Sequence, residues 1–183
     1  HTRARFYFDK DTVNFDDIRR FGFINIIKAE LKIDYLNKIG PDVLEISTKQ
    51  SRIIIDKSKK SKSLIKDFIL NQKYMSGIGN IYANEILFAS RIHPETKANA
   101  LSSNNWKDFF NNTKKIMRLA IKNNGTTLSD MTYFLPYGEF GSNQNFLKIY
   151  SKTNCFNCEH IIDKIYINQR ATYFCRKCQK LKN

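Results

Sequence analysis

The chain has 183 residues, 42% hydrophobic and 26% charged, a globular balance that excludes wholesale disorder. Thirty-one Lys and Arg stand against 17 Asp and Glu, and the resulting +14 predicts a polyanionic partner. No apolar run approaches the roughly 18 residues of a membrane-spanning helix, and the basic opening His1-Thr2-Arg3-Ala4-Arg5 lacks the apolar core of a signal peptide.

Residues 1 to about 45 read as strands. Arg3–Phe8, Thr12–Phe15 and Gly22–Ile27 carry aromatic and β-branched residues at strand density, with a polar turn at Asp9-Lys10-Asp11. So few strands are marginal alone, so the region reads as the tail of a larger sheet ending at Gly40-Pro41. From about residue 46 to 136 the pattern turns helical. Thr48–Lys60 forms one helix, and Ser63 is positioned to cap a second through Leu64, Ile65, Phe68 and Ile69. Asn80 suits the N-cap of a third, which His93-Pro94 stops. Ser102 or Ser103 caps a long fourth, with Trp106, Phe109, Phe110, Ile116, Met117, Ala120 and Ile121 on one face and Asn124-Gly125 at its end. Thr126-Thr127-Leu128 opens a shorter helix, and Pro136–Asn143 reads as a loop.

All four cysteines fall at the end, as Cys155-x2-Cys158 and Cys175-x2-Cys178 with 16 residues between the pairs. Each knuckle aims two sulfurs at one point, and a hairpin of Ile161–Ile167 and Ala171–Phe174 with Asn168-Gln169-Arg170 at its tip brings the pairs together. We read one Zn2+ on Cys155, Cys158, Cys175 and Cys178. Four protein ligands leave no open position, so the metal is structural and supplies folding energy that so short a segment lacks. Disulfides are disfavoured because secreted scaffolds spread cysteines along the chain. An intracellular compartment is expected.

Gly77-Ile78-Gly79-Asn80 joins two apolar-faced helices through room for two tight turns, and Lys57, Lys59, Lys60, Lys62, Lys66 and Lys73 crowd the approach. Free amides at the start of the next helix attract anions. A lone Gly-x-Gly turn is weak evidence, and the lysines shift it toward phosphate contact.

Ser76-Gly77-Ile78-Gly79-Asn80-Ile81-Tyr82-Ala83-Asn84-Glu85-Ile86-Leu87-Phe88 with Arg91-Ile92-His93-Pro94 resembles the helix–two-turns–helix signature of the formamidopyrimidine-DNA glycosylase/endonuclease VIII family. Asp17-Ile18-Arg19-Arg20-Phe21-Gly22, Gly125-Thr126-Thr127-Leu128 and Gln169-Arg170-Ala171-Thr172-Tyr173-Phe174-Cys175 match further family motifs in order, so the resemblance covers essentially the whole chain. It implies an α+β fold: the tail of an N-terminal β-sandwich (1–45), a helix–two-turns–helix DNA-binding domain (46–136), and a lesion loop with a four-Cys zinc-finger hairpin (137–183). It implies base-excision repair, in which an oxidised base is flipped out and removed and the strand is cut at the abasic site. The implied partner is double-stranded DNA containing oxidised bases or abasic sites, bound by a monomer.

Carried over by position, Arg19 and Phe21 resemble the residues that fill the void left by the flipped base, and Arg20 a supporting or phosphate-contacting residue. Lys66 and Asn80 are similar to phosphate ligands, with Gly79 and Tyr82 beside them. Lys60 or Lys62 matches a further DNA contact, and His1 a DNA-contacting histidine. Arg170 resembles the arginine that grips phosphate beside the flipped nucleotide and assists the second elimination. Glu85 resembles a buried carboxylate near the nucleophile, and equally a structural partner. The long stretch Met131–Asn145, with Tyr133, Phe134, Tyr137 and Phe140, leans toward oxidised purines.

One departure is large. The family nucleophile is an N-terminal proline amine followed by glutamate, whereas Pro41, Pro94 and Pro136 are internal amides. With no initiator Met, the chain reads as starting about a third of the way into the family pattern. The expectation is that it supplies DNA binding and forms no Schiff base by itself. A non-catalytic binder of damaged or bent DNA on the same scaffold is the alternative.

Overall fold

The computed structural model describes residues 1–18, 20–31, 36–127 and 140–181. The chain divides into two compact units, His1–Leu36 and Asn37–Asn183. In the first, β1 (Thr2–Tyr7) and β2 (Thr12–Asp16) form an antiparallel hairpin, closed by the N–H of Phe8 donating to the Asp11 carbonyl. The expected third strand at Gly22–Ile27 does not form. Its residues have strand composition, but they pair with no described strand, and Phe23 and Ile26 are exposed. Side-chain preference without a neighbouring ladder does not make a strand.

The second unit is mainly helical. Helix α1 (Thr48–Lys59) starts at a capping box of Ser47 and Gln50, and α4 (Ser103–Lys122) at one of Ser102 and Asn105. Helix α2 (Ile65–Leu70) departs from expectation: Leu64, not Ser63, precedes it, and no side chain caps it. The Ile65 N–H donates instead to the Thr96 carbonyl, so a backbone contact takes the place of the cap. Helix α3 is Asn80–Ala89, and its N-cap is Gly79 rather than Asn80.

Trp106 and Phe109 of α4 are buried against Phe68 of α2, with Ile86 and Leu87 of α3 and Ile54 of α1 in the same core. Ile121, expected on that face, is exposed because it falls one residue past the stripe that ends at Ala120. The cysteine hairpin is β3 (Asp163–Ile167) and β4 (Arg170–Phe174), joined by Asn168 and Gln169, both at positive φ as a two-residue hairpin turn requires. Arg170 therefore opens β4, one step past the turn. Phe88 packs with Ile149, Ile162, Cys155 and Cys175 in a second core, so α3 joins the helices to the hairpin. The helix expected to open at Thr126 does not begin there, because Thr126 makes an antiparallel bridge with Ser142 and Thr127 is irregular; Leu128 onward lies outside the described residues, as do the aromatics Tyr133, Phe134 and Tyr137 and also Arg19. Among the described residues no helix is long and apolar enough to cross a membrane.

Candidate nucleic-acid interface

The turn before α3 is braced from within. Gln72 accepts the Gly77 N–H and donates to the Ile78 carbonyl, both at 3.2 Å. Gly77 sits at φ +99, which a side chain would strain. Gly79 has open space where a Cβ would stand, and α3 begins without a side-chain cap. The first amides of the helix thus keep their anion-attracting character. A cavity of about 320 Å3 lined by Gly79, Asn80, Ile81, Tyr82, Gly125 and Thr126 opens there. Tyr82 is half-buried, its hydroxyl 2.9 Å from the Thr126 hydroxyl.

Asn80 is freed from capping and points to the hairpin. Its Nδ2 donates to the Ala171 carbonyl at 3.1 Å. Lys66, from α2, reaches the same carbonyl at 3.1 Å and the Thr172 hydroxyl at 2.6 Å. Arg170, exposed, is the residue before this carbonyl, so two predicted DNA ligands, from α2 and α3, meet on the β4 backbone next to a third. Lys66 is fully enclosed, not a surface lysine of the approach. Burial pushes its ammonium down to about 8, with the Arg170 charge adding to the fall and Asp67 opposing it. Lys60 and Lys62 remain exposed between α1 and α2.

Asn84 and Gln179 complete the attachment of β4. Asn84 Oδ1 accepts the Tyr173 N–H at 2.7 Å. Gln179 accepts the Cys175 N–H at 3.0 Å and donates to the Ile92 carbonyl at 2.8 Å. Neither residue stands out in the sequence. The only signal for Asn84 is its spacing, one helical turn after Asn80.

Glu85 is buried and occupied. Its carboxylate accepts the backbone N–H groups of Lys148, Ile149 and Tyr150 at 2.9 to 3.0 Å. This is the geometry of a strut for the segment leading into the first knuckle. The four cysteine sulfurs lie within 4.8 Å of one another, and all four are free. Sγ separations of 3.5, 3.6 and 3.8 Å match the edge of a tetrahedron with metal–sulfur bonds of about 2.3 Å, far beyond a disulfide. The donor set and its shape fit a four-thiolate metal ion.

In the first unit, one carboxylate organises the Arg-Arg-Phe loop. Asp17 Oδ1 accepts the Arg20 N–H at 2.9 Å, and Oδ2 accepts the Gly22 N–H at 2.7 Å. Arg20 adopts φ 58, and Phe21 is 82% exposed between them. The tight local fold holds this large ring outward. His1 is exposed, its carbonyl accepting the Asp17 N–H.

Residues 39–132 match the family described as the formamidopyrimidine-DNA glycosylase H2TH domain. The chain belongs to the formamidopyrimidine-DNA glycosylase family. It is 40% identical over 184 residues to the enzyme of that name from Mycoplasma genitalium, covering 99% of this chain and 64% of the relative. The corresponding protein of Listeria monocytogenes is 38% identical over 188 residues, 98% of this chain and 67% of the relative. The chain thus spans about two thirds of these formamidopyrimidine-DNA glycosylases. In structure it resembles the MutM (Fpg) protein of Thermus thermophilus, with TM-score 0.89 and 29% identity, covering all of this chain and 70% of that one. It also resembles the Lactococcus lactis Fpg in complex with DNA containing an abasic site, with TM-score 0.84 and 30% identity over 96% of this chain and 65% of that one.

Proposed function

We propose that the protein is a base-excision repair DNA glycosylase with abasic-site lyase activity on oxidised bases, and that this chain supplies its grip on duplex DNA. The observation that carries the reading is the meeting of Lys66 and Asn80 on the Ala171 carbonyl, next in sequence to Arg170, whose charge acts on Lys66. Donors from two helices and a hairpin converge where a strand can pass the open start of α3. The DNA-bound Lactococcus lactis relative supports the same partner.

In this reading Arg170 and Lys66 neutralise phosphates beside a flipped nucleotide, and Asn80 and the amides after Gly79 donate hydrogen bonds to them. Tyr82 lines their cavity, and Lys60, Lys62 and His1 extend the contact. Phe21 wedges into the gap left by the base, with Arg19 and Arg20 beside it. Glu85 holds the 148–150 segment. Cys155, Cys158, Cys175 and Cys178 hold one Zn2+, which supplies the cross-link that keeps β4 and Arg170 in place. The reaction needs a free amine at the sugar. Pro41, Pro94 and Pro136 are internal amides, so the reading takes that amine from outside these residues.

Binding to an abasic-site duplex across a salt series tests the grip. Asn80→Ala and Arg170→Ala should each weaken binding, and Arg170→Ala, which removes a cation, should also lower the salt slope by about 0.9 for the phosphate left unneutralised. Unchanged affinity in Asn80→Ala together with an unchanged slope in Arg170→Ala would overturn it. Borohydride trapping of the full-length protein on abasic DNA tests the chemistry, and absence of a covalent adduct would remove the lyase step.

A further inference from the structure

We propose that Asn84 is a positioning residue that fixes the hairpin tip relative to the turn before α3, so that Asn80 and Arg170 hold one strand together. The proposal rests on the reading of Asn80 and Arg170 as phosphate ligands.

β3 and β4 form a two-stranded sheet, so β4 pairs with a strand on one side only and has one open edge. Alternate residues of a strand turn their backbone groups to the same edge. On the outer edge of β4 the Ala171 carbonyl and the Tyr173 and Cys175 N–H groups are each satisfied by side chains: Ala171 by Lys66 and Asn80, Tyr173 by Asn84, Cys175 by Gln179. A ladder of amides and one amine takes the place of a third strand. It fixes the register of β4 along α3 as a strand partner would.

Asn84 is the rung that, besides Asn80 itself, joins α3 to β4. It is 2% exposed. Its Nδ2 donates to the Asn80 carbonyl one turn back at 2.6 Å, which locks the amide plane and turns Oδ1 outward to Tyr173. Beside the direct bond of the Asn80 amide to the Ala171 carbonyl, a second link from the Asn80 backbone to β4 thus runs through one side chain held at both ends. Lys66 approaches from α2, and Gln179 fastens the far end of the strand to Ile92. Neither ties β4 to the turn that carries Asn80.

The test is a double-mutant cycle of Asn80→Ala and Arg170→Ala, read as affinity for a duplex with an abasic-site analogue and run with Asn84 intact and as Asn84→Ser. A serine hydroxyl keeps the bond to the carbonyl four residues back but is too short to reach Tyr173. With Asn84 intact, the two losses should be non-additive by about fivefold, because both side chains act on one bound strand. In Asn84→Ser the affinity should fall about fivefold and the non-additivity should drop below twofold, with zinc content unchanged. Asn84→Leu, which keeps the volume, gives the same comparison if the serine variant folds poorly. Equal coupling in both backgrounds would overturn the positioning role while leaving the grip intact. If neither Asn80→Ala nor Arg170→Ala weakens binding with Asn84 intact, the phosphate reading itself fails.

Discussion

Replacing Lys66 with Met separates what this lysine costs the fold from what it contributes to DNA binding. The ammonium titrates at about 8 where a lysine ordinarily titrates at 10.5, because it is enclosed beneath β4. A displacement of that size disfavours the charged folded form by roughly 3 kcal/mol at pH 7. Water beyond the thin hairpin screens the charge, and we take about 2 kcal/mol. The methionine also gives up two hydrogen bonds, yet neither acceptor is orphaned. The Ala171 carbonyl keeps Asn80, and the Thr172 hydroxyl still donates to the Arg170 carbonyl at 3.0 Å. That loss is about 1 kcal/mol, so Lys66→Met should be the more stable protein at pH 7 by about 1 kcal/mol. The sign with pH follows from proton counts. Between about 8 and 10.5 the unfolded chain still holds a proton that the folded chain has released, so the stability of the unmodified protein rises with pH in that window. Below about 8 the penalty is fully present. Urea denaturation of both proteins at pH 7 and 9.5, with zinc supplied, should show the advantage of Met shrinking by about 1 kcal/mol. Binding to an abasic-site duplex at pH 7 should fall about tenfold, with a flatter salt dependence. A methionine variant that is less stable by the same amount at both pH values would refute the reasoning, because the lysine would then carry no charge penalty.

Three other outcomes are expected. Glu85→Ala leaves the amides of Lys148, Ile149 and Tyr150 without their acceptor and should cost about 3 kcal/mol by denaturant titration, with Glu85→Gln costing less. A loss below about 1 kcal/mol would contradict the strut. Stripping the metal with a chelator should abolish DNA binding while circular dichroism retains the signal of α1 and α4, and undiminished affinity in metal-free protein would refute the cross-link. Phe21→Ala should keep its affinity for intact duplex but dissociate faster from a lesion, since only the lesion complex has a gap to fill. Equal losses on both duplexes would argue against the wedge.

Local features were legible where they were self-contained. Ser102 begins α4 because its partner Asn105 is three residues away, and the cysteine pairs meet because each knuckle aims its own sulfurs. The turn Gly77–Asn80 was readable from its glycines. Features decided at long range were not. Ser63 and Asn80 are good caps in isolation, but the Thr96 carbonyl supplies a partner at the start of α2, and the Ala171 carbonyl draws the Asn80 amide away from its own helix. Lys66 lies in a run of lysines that reads as a solvated face. Only a strand 105 residues later reveals that it is covered. Gly22–Ile27 has the residues of a strand, and what it lacks is a neighbour, which composition does not encode.

The side-chain ladder on β4 also explains why the cover over that edge is polar. An apolar face laid against β4 would leave the Ala171 carbonyl and the Tyr173 and Cys175 N–H groups unpaired, each at a cost of about 1–3 kcal/mol. Amide and amine side chains satisfy them at 2.7 to 3.1 Å. The same choice prepares the proposed grip. The Asn80 amide and the Lys66 ammonium have already exchanged water for a carbonyl in the free protein. A phosphate arriving beside Arg170 then competes with two neutral acceptors, the Ala171 carbonyl and the Thr172 hydroxyl, rather than with a hydration shell. An anionic acceptor makes hydrogen bonds roughly twice as strong as a neutral one, so the exchange favours the strand. It also returns Lys66 toward its ordinary titration, which predicts that DNA affinity falls as pH rises above about 8 and that Lys66→Met removes this fall. Affinity that stays level from pH 7 to 9.5 in the unmodified protein would place the lysine outside the bound complex.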